Sequence, residues 1–192
     1  DVAEEALANI PKTGPVVVVS NHPFGGIEGL ILVELLTKIR GDVRLLANYL
    51  LNYIPEIRRH FISVDPFGTN NSVKSNITPL RDSISWVKSC GLLAIFPAGT
   101  VSYLHLSKRE VTDPEWSRNV AGIIRKTGAP VVPIFFHGRN GSLFQMLGLI
   151  HPKIRTALLA RELINKKNSV ISLDIGSTIP NDKLISFQND SE

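Results

Sequence analysis

Val16 to Val19 form an unbroken β-branched run opened by Gly14-Pro15, the pattern of a strand covered on both faces in a mainly parallel sheet. That requirement points to an α/β fold, a mainly parallel central sheet flanked by helices. The run leads straight into Ser20-Asn21-His22-Pro23-Phe24-Gly25-Gly26-Ile27-Glu28-Gly29, and Ile27 to Arg40 then reads as a helix. In open α/β sheets, ligand sites gather at the carboxyl ends of such strands. A histidine, two adjacent glycines and a carboxylate at one such end make His22 a candidate for chemistry.

Strand and helix patterns alternate along the rest of the chain. Strands are expected at Pro15 to Ser20, Val43 to Ala47, Phe61 to Val64, Leu92 to Phe96, Pro130 to Phe136 and Val170 to Ile175. Helices are expected at Ile27 to Arg40, Asn71 to Ser89, Pro114 to Thr127 and as a pair from Leu143 to Ile164. For the third helix, Thr112 or Asp113 can cap, Pro114 can take the first helical position, and Gly128 stands just past the end. Three strand ends combine glycine with polar residues: Asn21-His22-Pro23, Pro97-Ala98-Gly99-Thr100-Val101-Ser102 and His137-Gly138-Arg139-Asn140-Gly141. If their strands are parallel, the three turns share one edge of the sheet.

The chain has 192 residues, 43% hydrophobic and 20% charged. Without a linker or repeat, residues 1–192 read as a single domain. It opens at Asp1 without methionine and so reads as a fragment or a trimmed chain, with an upstream signal or anchor left open. No apolar stretch approaches the roughly 20 residues that span a bilayer; the longest, Leu30 to Leu36, is interrupted by Glu34. Cys90 is the only cysteine, which excludes an internal disulfide framework and fits a core position in a reducing compartment.

Net charge is +4, with a basic run of Arg139, Lys153, Arg155, Arg161, Lys166 and Lys167 against Glu162. Such a run suits anionic lipid headgroups, a phosphorylated cofactor or a solvated helix face better than nucleic acid, for which no motif is present. Ser142 to Ile150, with Leu143, Phe144, Met146, Leu147, Leu149 and Ile150, has the apolar content of an interfacial helix, and core packing explains it equally well. His60, His105, His137 and His151 lack metal-site spacing, so no catalytic metal is expected, and His137 reads as an edge-of-core histidine ahead of a pocket-lining one. Neither a P-loop, a dinucleotide fingerprint nor a Gly-x-Ser-x-Gly elbow occurs, which ranks nucleotide, hydride and ester-hydrolase chemistry low.

At its turns the chain resembles the glycerolipid acyltransferase superfamily, the lysophosphatidic-acid acyltransferase-like enzymes, and within it the hemolysin-like or ornithine-lipid-type bacterial branch. Asn21 to Gly29 is similar to the first family block. Leu46-Ala47-Asn48-Tyr49-Leu50, Pro55-Glu56-Ile57-Arg58 and Phe61-Ile62-Ser63-Val64-Asp65-Pro66-Phe67 are similar to the second, Phe96 to Ser102 to the third, and Ala129 to Ile134 to the fourth. Gly138 to Phe144 and Leu158 to Lys167 also look like that branch. The resemblance implies acyl transfer from a thioester, on coenzyme A or acyl carrier protein, to a lysolipid hydroxyl by a peripheral enzyme at the inner, cytoplasmic face of the cell membrane. It implies no resident cofactor.

His22 would then be the general base and Glu28 its orienting carboxylate. Asn21, Gly25, Gly26, Asn48, Tyr49, Arg58, Phe96, Pro97, Ala98, Gly99, Thr100, Ser102 and Arg139 would line the substrate site. Backbone N–H groups near Gly25, Gly26 or Gly99-Thr100 would face the oxyanion. Tyr49, Leu50 and Tyr53 would contribute to an acyl groove.

The chain departs from the family pattern twice. Five residues rather than four separate His22 from its carboxylate, which is glutamate rather than aspartate and falls in a first helical turn, where the helix dipole alone favours an acid. The third block carries Ala98 and Val101 where many members have glutamate and arginine, and the second block lacks an arginine. The usual phosphate binders are thus missing, with Arg58, Arg59 and Arg139 as substitutes, and the acceptor shifts toward lyso-ornithine or another amino lipid. A lipid-binding or regulatory module of the same fold with impaired catalysis is the alternative.

Overall fold

The structure, a computed structural model, describes residues 4–48, 55–64 and 77–186. In chain order its elements are α1 (Glu4–Leu7), β1 (Val16–Ser20), α2 (Gly26–Thr37), β2 (Val43–Asn48), a 3-10 turn (Arg58–His60), β3 (Phe61–Val64), α3 (Ile77–Lys88) and β4 (Leu92–Ile95). There follow β5 (Tyr103–His105), β6 (Glu110–Thr112), α4 (Arg118–Thr127), β7 (Val131–Phe136), α5 (Ser142–Ile150), α6 (Pro152–Asn165), β8 (Leu173–Ile175) and α7 (Asn181–Ile185). Tyr49, Leu50, Tyr53, Asp65-Pro66-Phe67 and the expected helix start at Asn71 lie outside the described residues.

Six strands form one sheet in the order β3-β2-β4-β1-β7-β8. The pairs from β3 to β7 are parallel, and β8 runs antiparallel to β7. The valine run is central: Val16 lies beside Leu92 of β4, and Val17 beside Val131 of β7. All residues of β1 are buried because both faces are covered. Val16 and Val18 pack with Leu32 and Leu36 of α2, while Val17 and Val19 pack with Val87 of α3 and Ile123 of α4. Alternating side chains therefore feed two cores, and the sequence shows no polar alternation for that reason.

Several expectations change. The third helix begins at Arg118 with Ser117 as its cap, accepting from the Asn119 N–H at 3.3 Å. Thr112, Asp113 and Pro114 do not start it, because the Asp113 carboxylate is taken up elsewhere and the Ser117 N–H is drawn to the Pro97 carbonyl at 2.9 Å. Gly128 does close the helix, at φ 64°. Cys90 is exposed, not core: it sits in a left-handed turn (φ 68°) past α3, off the apolar face of that helix. The last strand begins at Leu173, and Val170 is 86% exposed. Helix α2 stops at Thr37 rather than Arg40.

Candidate active site

Since β1, β4 and β7 are parallel neighbours, their three following turns do share the carboxyl edge of the sheet. Side chains and backbone then fasten those turns together. Asn21 extends the ladder beyond β1: its Nδ2 donates to the Phe136 carbonyl at 2.9 Å, and its Oδ1 accepts the Phe136 N–H at 2.7 Å. The His22 carbonyl accepts from the Ser102 N–H at 2.8 Å, and the His22 N–H donates to Asp113 Oδ1 at 3.1 Å. Ser102 Oγ also donates to Asp113 Oδ1, and Trp116 Nε1 donates to Oδ2 at 3.1 Å. One carboxylate thus gathers three segments, a role that the sequence reading assigned instead to helix capping.

The imidazole of His22 stacks on Phe96, centroids 4.2 Å apart and planes at 24°. Its Nδ1 lies 3.5 Å from Glu28 Oε1, with side-chain exposures of 17% for the histidine and 0% for the glutamate. The longer spacing is bridged by the glycine pair. Gly25 adopts φ 110°, open to glycine at little cost, and a Cβ there would come within 2.9 Å of Leu159. The chain doubles back so that the Phe24 N–H donates to Glu28 Oε1 at 2.5 Å. Glu28 is therefore both a first-turn acid of α2 and the neighbour of His22. His22 Nδ1 and Glu28 Oε2 are buried without a hydrogen-bond partner, so the 3.5 Å approach is longer than a formed hydrogen bond.

The remaining site candidates divide by position. Gly25, Gly26, Phe96, Pro97 and Ser102 join His22 and Glu28, and Ala98, Gly99 and Thr100 complete the turn after β4. The Gly99 N–H is taken by the Phe96 carbonyl at 3.1 Å, which removes it as an oxyanion donor. Asn21 and Ser102 have their side chains committed to the chain itself. Asn48 ends β2 at the same edge. Arg58 is not brought there: its 3-10 turn precedes β3, and His60 Nδ1 lies 3.1 Å from the carbonyl of Val43, the first residue of β2, at the amino edge. Arg58 is exposed on the opposite side of the sheet from His22.

Helices α5 and α6 roof this carboxyl edge. Asn140 Nδ2 donates to the Phe24 carbonyl at 3.1 Å, Gln145 Oε1 accepts the Leu104 N–H at 2.9 Å, and Leu159 packs at Gly25. Gly138, at φ 112°, lies where a Cβ would come within 2.7 Å of the Phe24 ring. The basic run is divided: Arg155 lies 4.0 Å over the Tyr103 ring, and Lys166 lies 3.6 Å from Glu162 and 5.0 Å over Phe24. His137 is exposed and 2.7 Å from Asp174, not an edge-of-core residue. One cavity of about 480 Å³ is lined by Val19, Asn21, Asp113, Trp116, Pro133 and Phe135 among others. A second, of about 350 Å³, lies between the β5–β6 hairpin and α5.

Comparison with known proteins gives this arrangement a context. A family model described as Acyltransferase matches residues 2–166. A lyso-glycine lipid O-acyltransferase of Phocaeicola vulgatus is 30% identical over 187 residues, covering 92% of this chain and 63% of the relative. One of Bacteroides thetaiotaomicron, with the same name, is 27% identical over 188 residues, covering 93% and 66%. The chain thus spans about two thirds of the length of these curated relatives or slightly less. Among solved structures, the 1-acyl-sn-glycerophosphate acyltransferase PlsC of Thermotoga maritima aligns with a TM-score of 0.53 at 20% identity, covering 95% of this chain and 61% of that one. That likeness concerns the fold.

Proposed function

This chain belongs to the acyltransferase family, within the lysophospholipid acyltransferase superfamily, and from that premise we propose that it moves a fatty acyl group from a thioester to the hydroxyl of a lysolipid. The buried Glu28 carboxylate 3.5 Å from His22 Nδ1 at the shared strand edge carries the reading. A carboxylate on that side favours the tautomer with its proton on Nδ1 and leaves the Nε2 lone pair as base. Nε2 takes the acceptor's hydroxyl proton as the oxygen attacks the thioester carbonyl and the C–O bond forms. Collapse of the tetrahedral intermediate breaks the C–S bond, and the leaving thiolate recovers the proton from the imidazolium. The first N–H groups of α2, which has no side-chain cap, are suited to the developing oxyanion.

The donor is acyl-CoA or acyl carrier protein, which places the reaction at the cytoplasmic side of the membrane. Peripheral attachment is supported by apolar side chains turned outward on the roof, Met146 at 66% and Ile150 at 72% exposure. No helix among the described residues is long and apolar enough to cross a membrane. The acceptor is a lyso-amino-acid lipid, with glycine or ornithine as its headgroup. The relatives' names and the absence of family arginines from the second and third blocks support this choice.

Thiol release from acyl-CoA or acyl carrier protein, measured with a lysolipid panel, tests the proposal. Turnover is expected with at least one acceptor and not in His22→Ala; undiminished turnover in that variant would remove the proposed base. The uncharged third-block turn, with Ala98 and Thr100, favours a second reading, a lipid-binding module. Lysolipid binding without thiol release from either donor would select it.

A further inference from the structure

Helix α5 contains no charged residue. Phe144 and Gln145 are buried on its inner side, while Leu143, Met146, Leu149 and Ile150 are exposed. The spacing of Leu143, Met146 and Ile150 puts them on one stripe of the helix. An inner face is enough to hold a helix on a water-soluble fold, so this second apolar face calls for an apolar partner. Helix α6 extends it. At one end of the pair Gly148 lies against Arg155, and at the other the Gly141 N–H donates to Glu162 at 3.0 Å, so the helices are antiparallel neighbours. Leu163 and Ile164, next to Glu162, are also exposed and continue the apolar face where α5 begins.

The charge around this face is of one sign. Residues 139–173 carry six cations and one acid, whereas the rest of the chain has 15 cations and 16 acids. The single acid, Glu162, is buried with Lys166 3.6 Å away, so the hairpin presents no carboxylate outward. Lys153, Arg161 and Lys167 are exposed and make no ion pair with a described residue. Apolar side chains with unmatched cations among them suit a bilayer with anionic headgroups, where the apolar groups enter the acyl boundary and the cations meet phosphates. A second copy of this chain suits the face less well, since like charges would meet across the contact.

A second exposed apolar patch tests that argument within the molecule. Helix α6 packs beside α2, whereas Val19 and, by alternation from Val131, Phe135 belong to the other face of the sheet. There Trp116 and Phe135 are exposed at the cavity of about 480 Å³, which Asp113 and Asp174 border. That patch is apolar too, but its carboxylates repel an anionic surface.

We infer that the outer face of the α5–α6 hairpin docks this chain on an anionic bilayer, with the patch of Trp116 and Phe135 directed elsewhere. The inference rests on the peripheral attachment proposed above and names the face and the headgroup charge that it requires. The inner side of the same hairpin holds the His22 turn, through Leu159 at Gly25 and Lys166 5.0 Å over the Phe24 ring. In the docked chain a single layer of helix, roughly 10 Å thick, therefore separates that turn from the lipid.

Sedimentation with vesicles tests this with neither donor nor acceptor present, comparing phosphatidylcholine alone with a mixture containing roughly a third phosphatidylglycerol. The unaltered chain should bind the anionic vesicles roughly 10-fold more tightly or better, and the preference should shrink as salt is raised. Lys153→Gln, Arg161→Gln and Lys167→Gln together should weaken that binding roughly 100-fold, and Met146→Ser with Ile150→Ser roughly 10-fold or more. These positions are exposed, so circular dichroism and melting temperature should match those of the unaltered chain. Phe135→Ser should bind as the unaltered chain does.

Equal binding to both kinds of vesicle, or binding that survives both sets of hairpin substitutions, overturns the inference. So does a dimer, seen by light scattering without vesicles, that Met146→Ser with Ile150→Ser dissolves, because a second copy is then the occupant. Binding lost in Phe135→Ser and kept in the hairpin variants moves the attachment to the other patch, whereas absence of binding to either vesicle removes peripheral attachment as well. Thiol release with an acceptor in detergent micelles reads acyl transfer separately and should be unchanged by the hairpin substitutions.

Discussion

The two edges of the central sheet handle buried polar groups in opposite ways. At the amino edge, Arg40 is buried and each nitrogen of its guanidinium is engaged. Nε and Nη2 reach Asp42 at 2.7 and 2.6 Å, Nη1 reaches the Pro11 carbonyl at 3.0 Å, and Nη2 also reaches those of Gly14 and Cys90 at 2.9 and 2.8 Å. That knot ties the loop before β1, the end of α3 and the start of β2. At the carboxyl edge, His22 Nδ1, Glu28 Oε2 and Asn140 Oδ1 are buried and have no hydrogen-bond partner. A satisfied polar network holds a structure in one arrangement, whereas an incomplete one costs stability and persists where chemistry or binding uses it. The amino edge serves the fold, and the unfinished contacts of His22 and Glu28 at the carboxyl edge are those that the proposed reaction uses.

The contrast breaks if substitutions at the two edges have the same effect. His22→Ala should lower thiol release about 10²- to 10⁴-fold while moving unfolding free energy by no more than about 1 kcal/mol; a large loss of stability in denaturant titrations would put His22 in the same class as Arg40. Arg40→Leu should do the reverse, costing about 3–5 kcal/mol in denaturant titrations because Asp42 and three carbonyls lose their donor, with turnover per folded molecule unchanged. Glu28→Gln keeps an acceptor for the Phe24 N–H but removes the charge. About 10-fold or more of turnover should be lost, with stability equal to or slightly above that of the unaltered chain.

The smallest effect belongs to Asp42→Asn, about 1–3 kcal/mol at neutral pH. A hydrogen bond from Arg40, aided by its charge against some desolvation, holds the Asp42 carboxyl below the usual carboxylate range. A depressed folded-state value gives stability that is present above the unfolded pKa of about 3.9 and is lost as pH falls through the folded one. The difference between the unaltered chain and Asp42→Asn, followed by denaturation at several pH values, should therefore shrink below about pH 4.

The features legible in the sequence were those written in local pattern. The valine run announced a strand covered on both faces, and the polar turns after β1, β4 and β7 identified the edge where they meet. Less legible was anything decided by distant partners. Asp113 looks like a helix cap until Ser102, His22 and Trp116 claim its oxygens. Arg58 belongs by motif with the second block, yet a turn before a strand and a turn after one lie on opposite edges. The hairpin of β5 and β6 leaves no mark in the sequence because its three-residue strands are too short to show a period. Asn140 belongs to the polar turn after β7, but its burial and orphaned oxygen are properties of packing alone.

The position of β1 between β4 and β7 also has a temporal consequence. His22 is made before everything that holds its turn: the neighbours of its strand are Leu92–Ile95 and Val131–Phe136, and the roof over the turn comes from residue 140 onward. A chain emerging from the ribosome with its amino end first cannot assemble this turn until about three quarters of the described length has been made. Such non-local pairing also slows folding. Until β4 and then β7 have been made, the valine run is an apolar segment without its two sheet neighbours, and its safe passage depends on what shields it.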